Sequence, residues 1–171
     1  MKKFLKEVYP YIVIILVVVL FRTFIATPVR VNGGSMESTL YDGEILILNK
    51  LNNNYKRFDV VVINKNINGV KTKLIKRVIG LPGENIEYKD NDLYINGEII
   101  TDVSISRTTD FNLDDLYNID KIPKDTYFVM GDNRGNSSDS RDYRVGLIKK
   151  SEIVGTTKLR LFPFNKIGKF N

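Results

Sequence analysis

Val70-Lys71-Thr72-Lys73-Leu74-Ile75-Lys76-Arg77-Val78-Ile79-Gly80 is a long β-branched run whose side chains alternate with a period of two. That period puts Leu74, Lys76 and Val78 on one face of a strand and Lys73, Ile75, Arg77 and Ile79 on the other. The run opens after Asn68-Gly69, a tight hairpin turn signal, and closes before Pro82-Gly83, a turn that glycine accommodates easily. Outward from it lie shorter runs of the same kind: Glu44 to Leu48, Asp59 to Asn64, Asn85 to Lys89, Leu93 to Ile95, Glu98 to Ile100 and Thr126 to Met130. Asn96-Gly97 marks a second hairpin. This rhythm predicts a mainly β fold joined by hairpins. Residues 101–121 are polar, acidic and weakly patterned, which predicts a surface excursion.

Composition limits the chemistry. With 171 residues and 43% apolar content the chain has room for one folded domain plus an appendage. It has no cysteine and no histidine. A thiol nucleophile, a disulfide framework, a histidine-dependent zinc site and a Ser-His-Asp triad are therefore all excluded. No dense Asp/Glu loop suggests an oxygen-ligand metal site, so neither metal nor cofactor is expected. The formal charge of +6 draws heavily on Lys2, Lys3, Lys6 and Arg22, and the later basic residues are scattered among acids. Nucleic acid is not an expected partner.

From Tyr9 to Ala26 the chain is apolar apart from Pro10, Arg22 and Thr23. That length is sufficient for one membrane crossing, and an arginine one turn from the exit can reach the headgroups. Lys2, Lys3 and Lys6 precede the apolar run, so the positive-inside rule places the N-terminus in the cytoplasm and everything after Pro28 outside. A cleavable leader is the competing reading. Its cut after Ala26 would put bulky Phe24 where a small residue is wanted, and a cut after Thr27 would meet Pro28, so an uncleaved anchor is expected. The expected division is a cytoplasmic terminus over 1–8, an anchor over 9–27 and an extracytoplasmic β-rich domain over 28–171.

In a chain without imidazole, a serine nucleophile must be activated by a lysine held neutral. An unperturbed lysine is deprotonated only about once in two thousand molecules at pH 7, whereas burial lowers its pKa by several units. Lys76 has apolar neighbours on its own face and is the candidate base. On alternation alone, a strand whose lysines all reach water is the simpler reading. The candidate nucleophile is Ser35, in Asn32-Gly33-Gly34-Ser35-Met36-Glu37-Ser38-Thr39-Leu40. Its side-chain-poor approach lets a substrate backbone come close and leaves amide N–H groups, the serine's own among them, to meet a developing oxyanion. A Gly-Gly-Ser stretch after an anchor also suits a linker. The apolar Val29 and Val31 before it weaken that reading.

Taken together, the pieces resemble the type I signal peptidases, membrane-anchored Ser-Lys endopeptidases that remove signal peptides from exported proteins. The likeness covers almost the whole chain. It includes the anchor, Gly34-Ser35-Met36-Glu37-Ser38-Thr39-Leu40, Arg57-Phe58-Asp59-Val60-Val61-Val62, and Lys76-Arg77-Val78-Ile79-Gly80-Leu81-Pro82-Gly83. It continues through Gly131-Asp132-Asn133-Arg134-Gly135-Asn136-Ser137-Ser138-Asp139-Ser140-Arg141 and Leu161-Phe162-Pro163-Phe164-Asn165-Lys166-Ile167-Gly168. Compactness and a single anchor resemble the Gram-positive kind.

The resemblance implies the family's β-fold, shared with the self-cleaving LexA-like repressors, and the following roles. Ser35 is the nucleophile and Lys76 its general base, which later activates the hydrolytic water. Ser137 orients the lysine amine, and Asp139 and Arg141 form a supporting ion pair. Val31, Gly33, Met36, Leu40, Leu74 and Ile75 shape shallow substrate pockets that select Ala-x-Ala sites. The implied partners are secretory preproteins and the lipid bilayer, with no cofactor. Two departures stand out. Ser38 occupies a position where the family usually has proline, and Gly33 one where some members offer a hydroxyl to the oxyanion, which leaves that task to backbone N–H groups.

Other readings fit less well. The repressors carry a DNA-binding module where this chain has its anchor. Penicillin-binding and class A β-lactamase chemistry needs Ser-x-x-Lys, which this sequence lacks. A dedicated peptidase for pilus or surface proteins is a variant within the same reading. A non-catalytic anchored binding domain would have no use for Ser35 or Lys76.

Overall fold

The structure is a computed structural model that describes residues 2–170. Met1 and Asn171, the outer ends of the expected cytoplasmic terminus and extracytoplasmic domain, lie outside the described residues. Helix α1 (Lys2–Phe24) leads into strand β1 (Ala26–Arg30). Eleven further strands follow: β2 (Ile45–Asn49), β3 (Val60–Ile67), β4 (Val70–Gly80), β5 (Ile86–Lys89), β6 (Asp92–Ile95), β7 (Glu98–Ile100), β8 (Phe111–Asn112), β9 (Thr126–Met130), β10 (Ile148–Lys149), β11 (Ile153–Phe162) and β12 (Gly168–Lys169). A short helix α2 (Leu113–Tyr117) follows β8. The mainly β expectation holds.

One sheet runs in the order β1-β2-β11-β3-β4-β9-β10, with β12 on β11, and a smaller one runs β7-β6-β5-β8. The pairings are antiparallel. Both Asn-Gly turns have positive φ at each central residue, 51° and 84° at Asn68-Gly69 and 52° and 83° at Asn96-Gly97. That is the hairpin geometry whose twist matches the flanking strands, and Asn and Gly are the residues that adopt it at least cost.

Strand alternation divides the large sheet's core between its faces. Val61 and Ile63 of β3, Val78 of β4 and Tyr127 and Val129 of β9 pack into one cluster, with Leu74 against it. Val60 and Val62 turn the other way and join Val31, Met36, Leu40 and Leu46, with Ile75 against them. Ile79, Phe128 and Met130 pack instead with Tyr88, Leu93 and Leu113, which fastens the small sheet to the large one. The expected partition of β4 into two faces is thus observed.

Three expectations change. Helix α1 continues through Pro10 and ends at Phe24, whereas the anchor was expected to run to Thr27. Ala26 and Thr27 belong to β1, paired with Asn49 and Leu48, because the residue before Pro28 is driven toward extended backbone. The segment 101–121 is more than a surface excursion. It contributes β8 and α2, and Leu113 is fully buried because Phe111, Leu113, Leu116 and Tyr117 supply the apolar side chains that cover the small sheet. Strand β11, central in the large sheet, was not anticipated. Its register shifts at Ile153/Gly155, Thr157/Leu159 and Arg160/Phe162 break the alternation that reveals a strand in sequence.

Among the described residues, one helix is long and apolar enough to cross a membrane, with a stretch from Lys6 to Phe24 of mean hydropathy 1.9 that is not buried in the rest of the protein. Lys50 holds the exit of that helix to β2, its Nζ donating to the carbonyls of Arg22 and Thr23 at 3.1 and 3.0 Å.

Candidate active site

Ser35 lies in the connection between β1 and β2, and Lys76 near the middle of β4. The register of β3 against β4 sets Lys76 opposite Val61, on the face of the cluster that holds Val61 and Val78. Lys76 is 2% exposed. The reading in which every lysine of this strand reaches water therefore fails at this position. Burial lowers the Lys76 pKa to about 8, against the opposing pull of the Asp139 carboxylate, with Arg141 adding to the fall and Asp132 resisting it. At that value roughly a tenth of the molecules hold a neutral amine at pH 7. The amine donates to Ser137 Oγ at 2.8 Å.

Ser137 belongs to the loop that follows β9. Asp139 in the same loop is fully buried and paired with Arg141 at 2.8 Å. Burial pushes the Asp139 carboxyl up, but the hydrogen bonds and charge of Arg141, helped by the Gly131 N–H and the Ser137 hydroxyl, outweigh it and hold the group below the usual carboxylate range. Asp139 thereby stays ionised next to the serine that receives the lysine amine.

The loop also grips the Ser35 turn. The Asn133 N–H donates to the Ser35 carbonyl at 3.1 Å, and Asn133 Nδ2 to the Gly34 carbonyl at 3.0 Å. In a trans peptide the N–H of Ser35 points opposite to the Gly34 carbonyl, so this bond aims the amide away from Asn133. Among the described residues that amide has no acceptor. Gly33 donates its own N–H to Asp42 Oδ1 at 2.7 Å. The Glu37–Ser38 peptide is cis.

Asp132 joins the turn to the strand. It accepts from Thr39 Oγ1 at 2.6 Å and from Arg77 Nε and Nη2 at 2.8 and 2.6 Å. Both partners are next to, or a turn away from, the candidate reacting residues. In the sequence Asp132, Arg77 and Thr39 stand inside the quoted motifs with no role of their own. Their signal was adjacency, Arg77 to Lys76 and Asp132 to Gly131.

Gly131 is a further residue that the sequence alone does not single out. A Cβ at this position would lie 2.2 Å from Ser137 Oγ and 2.3 Å from the Ser35 carbonyl oxygen. Only a residue without a side chain lets those two come so near to β9.

Ser35 and Lys76 face one small cavity of about 70 Å3, whose wall includes Val31, Gly33, Met36, Leu74 and Ile75, with Arg30 and Lys73 exposed at its rim. Ligand pockets begin at roughly 300 Å3, so this space suits side chains of methyl size. Five of the six expected pocket residues are on the wall. Leu40 is not; it is fully buried in the cluster behind Met36, because the turn from Met36 to Leu40 folds it inward. A roomier cavity of about 220 Å3, lined by Phe58, Asp59, Arg77 and Thr157 among others, includes neither Ser35 nor Lys76.

Known proteins with similar sequence and structure agree with one another. The sequence model of the family described as "Signal peptidase, peptidase S26" matches residues 3–162. The chain is 40% identical over 167 residues to a signal peptidase I of Bacillus amyloliquefaciens, covering 92% of this chain and 88% of that protein. It is 42% identical over 165 residues to signal peptidase I T of Bacillus subtilis (strain 168), covering 91% and 84%. A crystal structure of a signal peptidase I from Enterococcus faecalis V583 superposes with a TM-score of 0.54 at 34% identity, over 60% of this chain and 96% of that one.

Proposed function

The chain belongs to the signal peptidase family, peptidase S26, as a hydrolase that removes signal peptides from preproteins, and we propose that it does so with Ser35 as nucleophile and Lys76 as general base. The observation that carries this reading is the buried Lys76 amine, bonded to Ser137 and sharing one small cavity with Ser35.

As a neutral amine, Lys76 donates one N–H to Ser137 Oγ and keeps its lone pair for the Ser35 hydroxyl. Ser35 Oγ attacks the carbonyl carbon of the scissile bond as its proton passes to Lys76 Nζ. The oxygen of the tetrahedral intermediate takes the Ser35 N–H, the donor that the Asn133–Gly34 bond leaves turned away. Lys76 then returns the proton to the leaving amine, which releases the mature chain and leaves the signal peptide as an ester on Ser35. Water enters, gives its proton to Lys76 and its oxygen to the ester carbon. Ser35 recovers its hydrogen as the ester breaks. Ser137, Asp139 and Arg141 hold the amine on this line.

The cavity walls of Val31, Met36, Leu74 and Ile75 support small side chains at the positions flanking the cut, the Ala-x-Ala pattern. Helix α1 is the anchor, with Lys2, Lys3 and Lys6 on the cytoplasmic side and the β-rich domain outside. A short link from α1 into β1 sets the site close to where a signal peptide leaves the bilayer.

The test is cleavage of a precursor with an Ala-x-Ala site by the full chain in detergent, with the cut located by mass spectrometry. The expected result is one cut after the second Ala, with no product from Ser35→Ala. Product from Ser35→Ala, or a cut elsewhere, overturns the reading.

A further inference from the structure

Arg134 is a fully buried cation that the mechanism above does not use. A charge in that position is costly unless partners surround it, and the partners show what the site is for. Nη1 lies 2.6 Å from Asp102 Oδ2 and donates to Tyr88 OH at 2.7 Å and to Thr108 Oγ1 at 2.8 Å. The guanidinium also stands over the Tyr88 ring, 5.4 Å from its centroid, and the Tyr88 hydroxyl donates to Asp102 at 2.5 Å. Tyr88 belongs to β5 of the small sheet, and Asp102 and Thr108 to the segment expected from sequence to be a surface excursion.

The remaining contacts lead to the reacting atoms. Arg134 Nε donates to the Gly131 carbonyl at 3.1 Å, while the Gly131 N–H donates to Asp139 Oδ2 at 2.9 Å. The Gly131 residue is thus held at both ends, at the spot where Ser137 Oγ and the Ser35 carbonyl crowd its Cα. The Arg134 carbonyl accepts from Arg141 Nη2 at 2.8 Å, and Ser104 Oγ donates to the Asp132 carbonyl at 2.8 Å. Residues 102–108 therefore strap the loop that carries Ser137 at Asp132 and Arg134.

We propose that Arg134 is a positioning residue for the hydrolytic reaction, and that Asp102, Ser104 and Thr108 act through it and through Asp132 to fix Ser137 and hence the Lys76 amine. This rests on the Ser35–Lys76 reading. It gives residues 102–108 a place in catalysis, which a solvent-facing loop would not have.

A general stabilising role is the alternative, and the two differ in what they do to turnover. The test uses the full chain in detergent and the Ala-x-Ala precursor, with kcat and KM measured separately for Thr108→Val and Arg134→Lys, each alone and on a Ser137→Ala background. Thr108→Val keeps shape and removes one acceptor. Arg134→Lys keeps the charge and loses the fork. Thermal unfolding establishes that each variant is folded at the assay temperature. The expected result is a fall in kcat of about ten-fold with KM held within about two-fold, and a further loss below about two-fold when Ser137 is already absent. Parental kcat in Thr108→Val, a change in KM alone, or the same ten-fold loss repeated on Ser137→Ala overturns the proposal. If Ser35→Ala is inactive while Thr108→Val is parental, only the positioning role falls. If Ser35→Ala cleaves normally, both readings fall together.

Discussion

Lys73 and Lys76 stand on one strand, three residues apart, and line the same cavity, yet their surroundings differ completely. Val70, Lys71 and Lys73 at the start of β4 are open to water and Thr72 is half-buried, whereas Lys76 to Gly80 are buried. The pairing explains why. β9 joins β4 only at Arg77, Val78 and Gly80, and the loop that leaves β9 brings Ser137 and Asp139 over Lys76. Residue type and position in the cavity are not enough to make a base. Water must be removed from one amine and left on the other.

That contrast gives the largest expected effect. Lys76→Met removes the proposed proton acceptor and is expected to cut turnover about 10³-fold or more, while Lys73→Met, which removes an exposed charge from the rim, is expected to stay within about two-fold. Steady-state cleavage of one precursor by the two variants side by side measures both. Equal losses would mean that the cavity needs its positive charge rather than a buried base.

A second comparison lies inside the loop after β9, between Gly131 and Gly135. A Cβ at Gly131 would press into Ser137 and the Ser35 carbonyl, whereas nothing lies within 4 Å of one at Gly135. Gly131→Ala must therefore push Ser137 and the Ser35 turn apart. Misplacement on that scale is expected to lower kcat about 10²-fold and to cost about 1–3 kcal/mol of stability. Gly135→Ala is expected to change stability by no more than about 0.5 kcal/mol and to leave the rate parental. Denaturation midpoints and kcat for the two alanine variants check this. A Gly131→Ala enzyme of normal rate would show that Ser137 and Ser35 need not approach so closely.

What was legible in the sequence divides by distance along the chain. The turns at Asn68-Gly69 and Asn96-Gly97, the extent of β4 and its two faces depend on neighbouring residues, and they appear as expected. Strand β11 was hidden because its irregular register against β2 and β3 is set by those strands and not by its own pattern. The candidate site shows the same division. Ser35 and Lys76 were recognisable as residue types left over once histidine and cysteine were absent. The serine that receives the Lys76 amine lies 61 residues from it, and Arg134 is 46 residues from Tyr88 and 26 from Thr108, separations at which no local pattern operates. Family motifs placed Ser137, Asp139 and Arg141 because a motif stores such distant contacts. Asp102 and Thr108 fall outside the motifs, in a segment whose polar composition pointed to solvent, and Leu40 was placed on the cavity wall although its apolar side chain is drawn into the core.

The smallest effect tests the difference between Lys73 and Lys76 without catalysis. Folding moves the Lys76 pKa from 10.5 to about 8 and so binds its proton less tightly than the unfolded chain does. Below pH 8 both states carry the proton, and the folded state bears the whole cost of a buried charge, roughly 3 kcal/mol for a change of that size. Between pH 8 and about 10.5 the unfolded chain holds more protons than the folded one, so stability rises with pH, and above that window Lys76 is neutral in both states and the cost is gone. Lys76→Met fills similar space without the charge. It gives up the hydrogen bond to Ser137, worth about 1 kcal/mol, and is still expected to be more stable than the parent at pH 7, by about 1–2 kcal/mol. That advantage should shrink as pH passes 8 and vanish or reverse by about pH 10.5, while Lys73→Met, which removes an exposed amine, tracks the parent throughout. Unfolding midpoints of the three proteins from pH 7 to 10.5 measure it. A difference between Lys76→Met and the parent that does not change with pH would mean that the buried amine is already neutral at pH 7 or has gained another partner, and the small fraction of active base inferred at neutral pH would have to be revised with it.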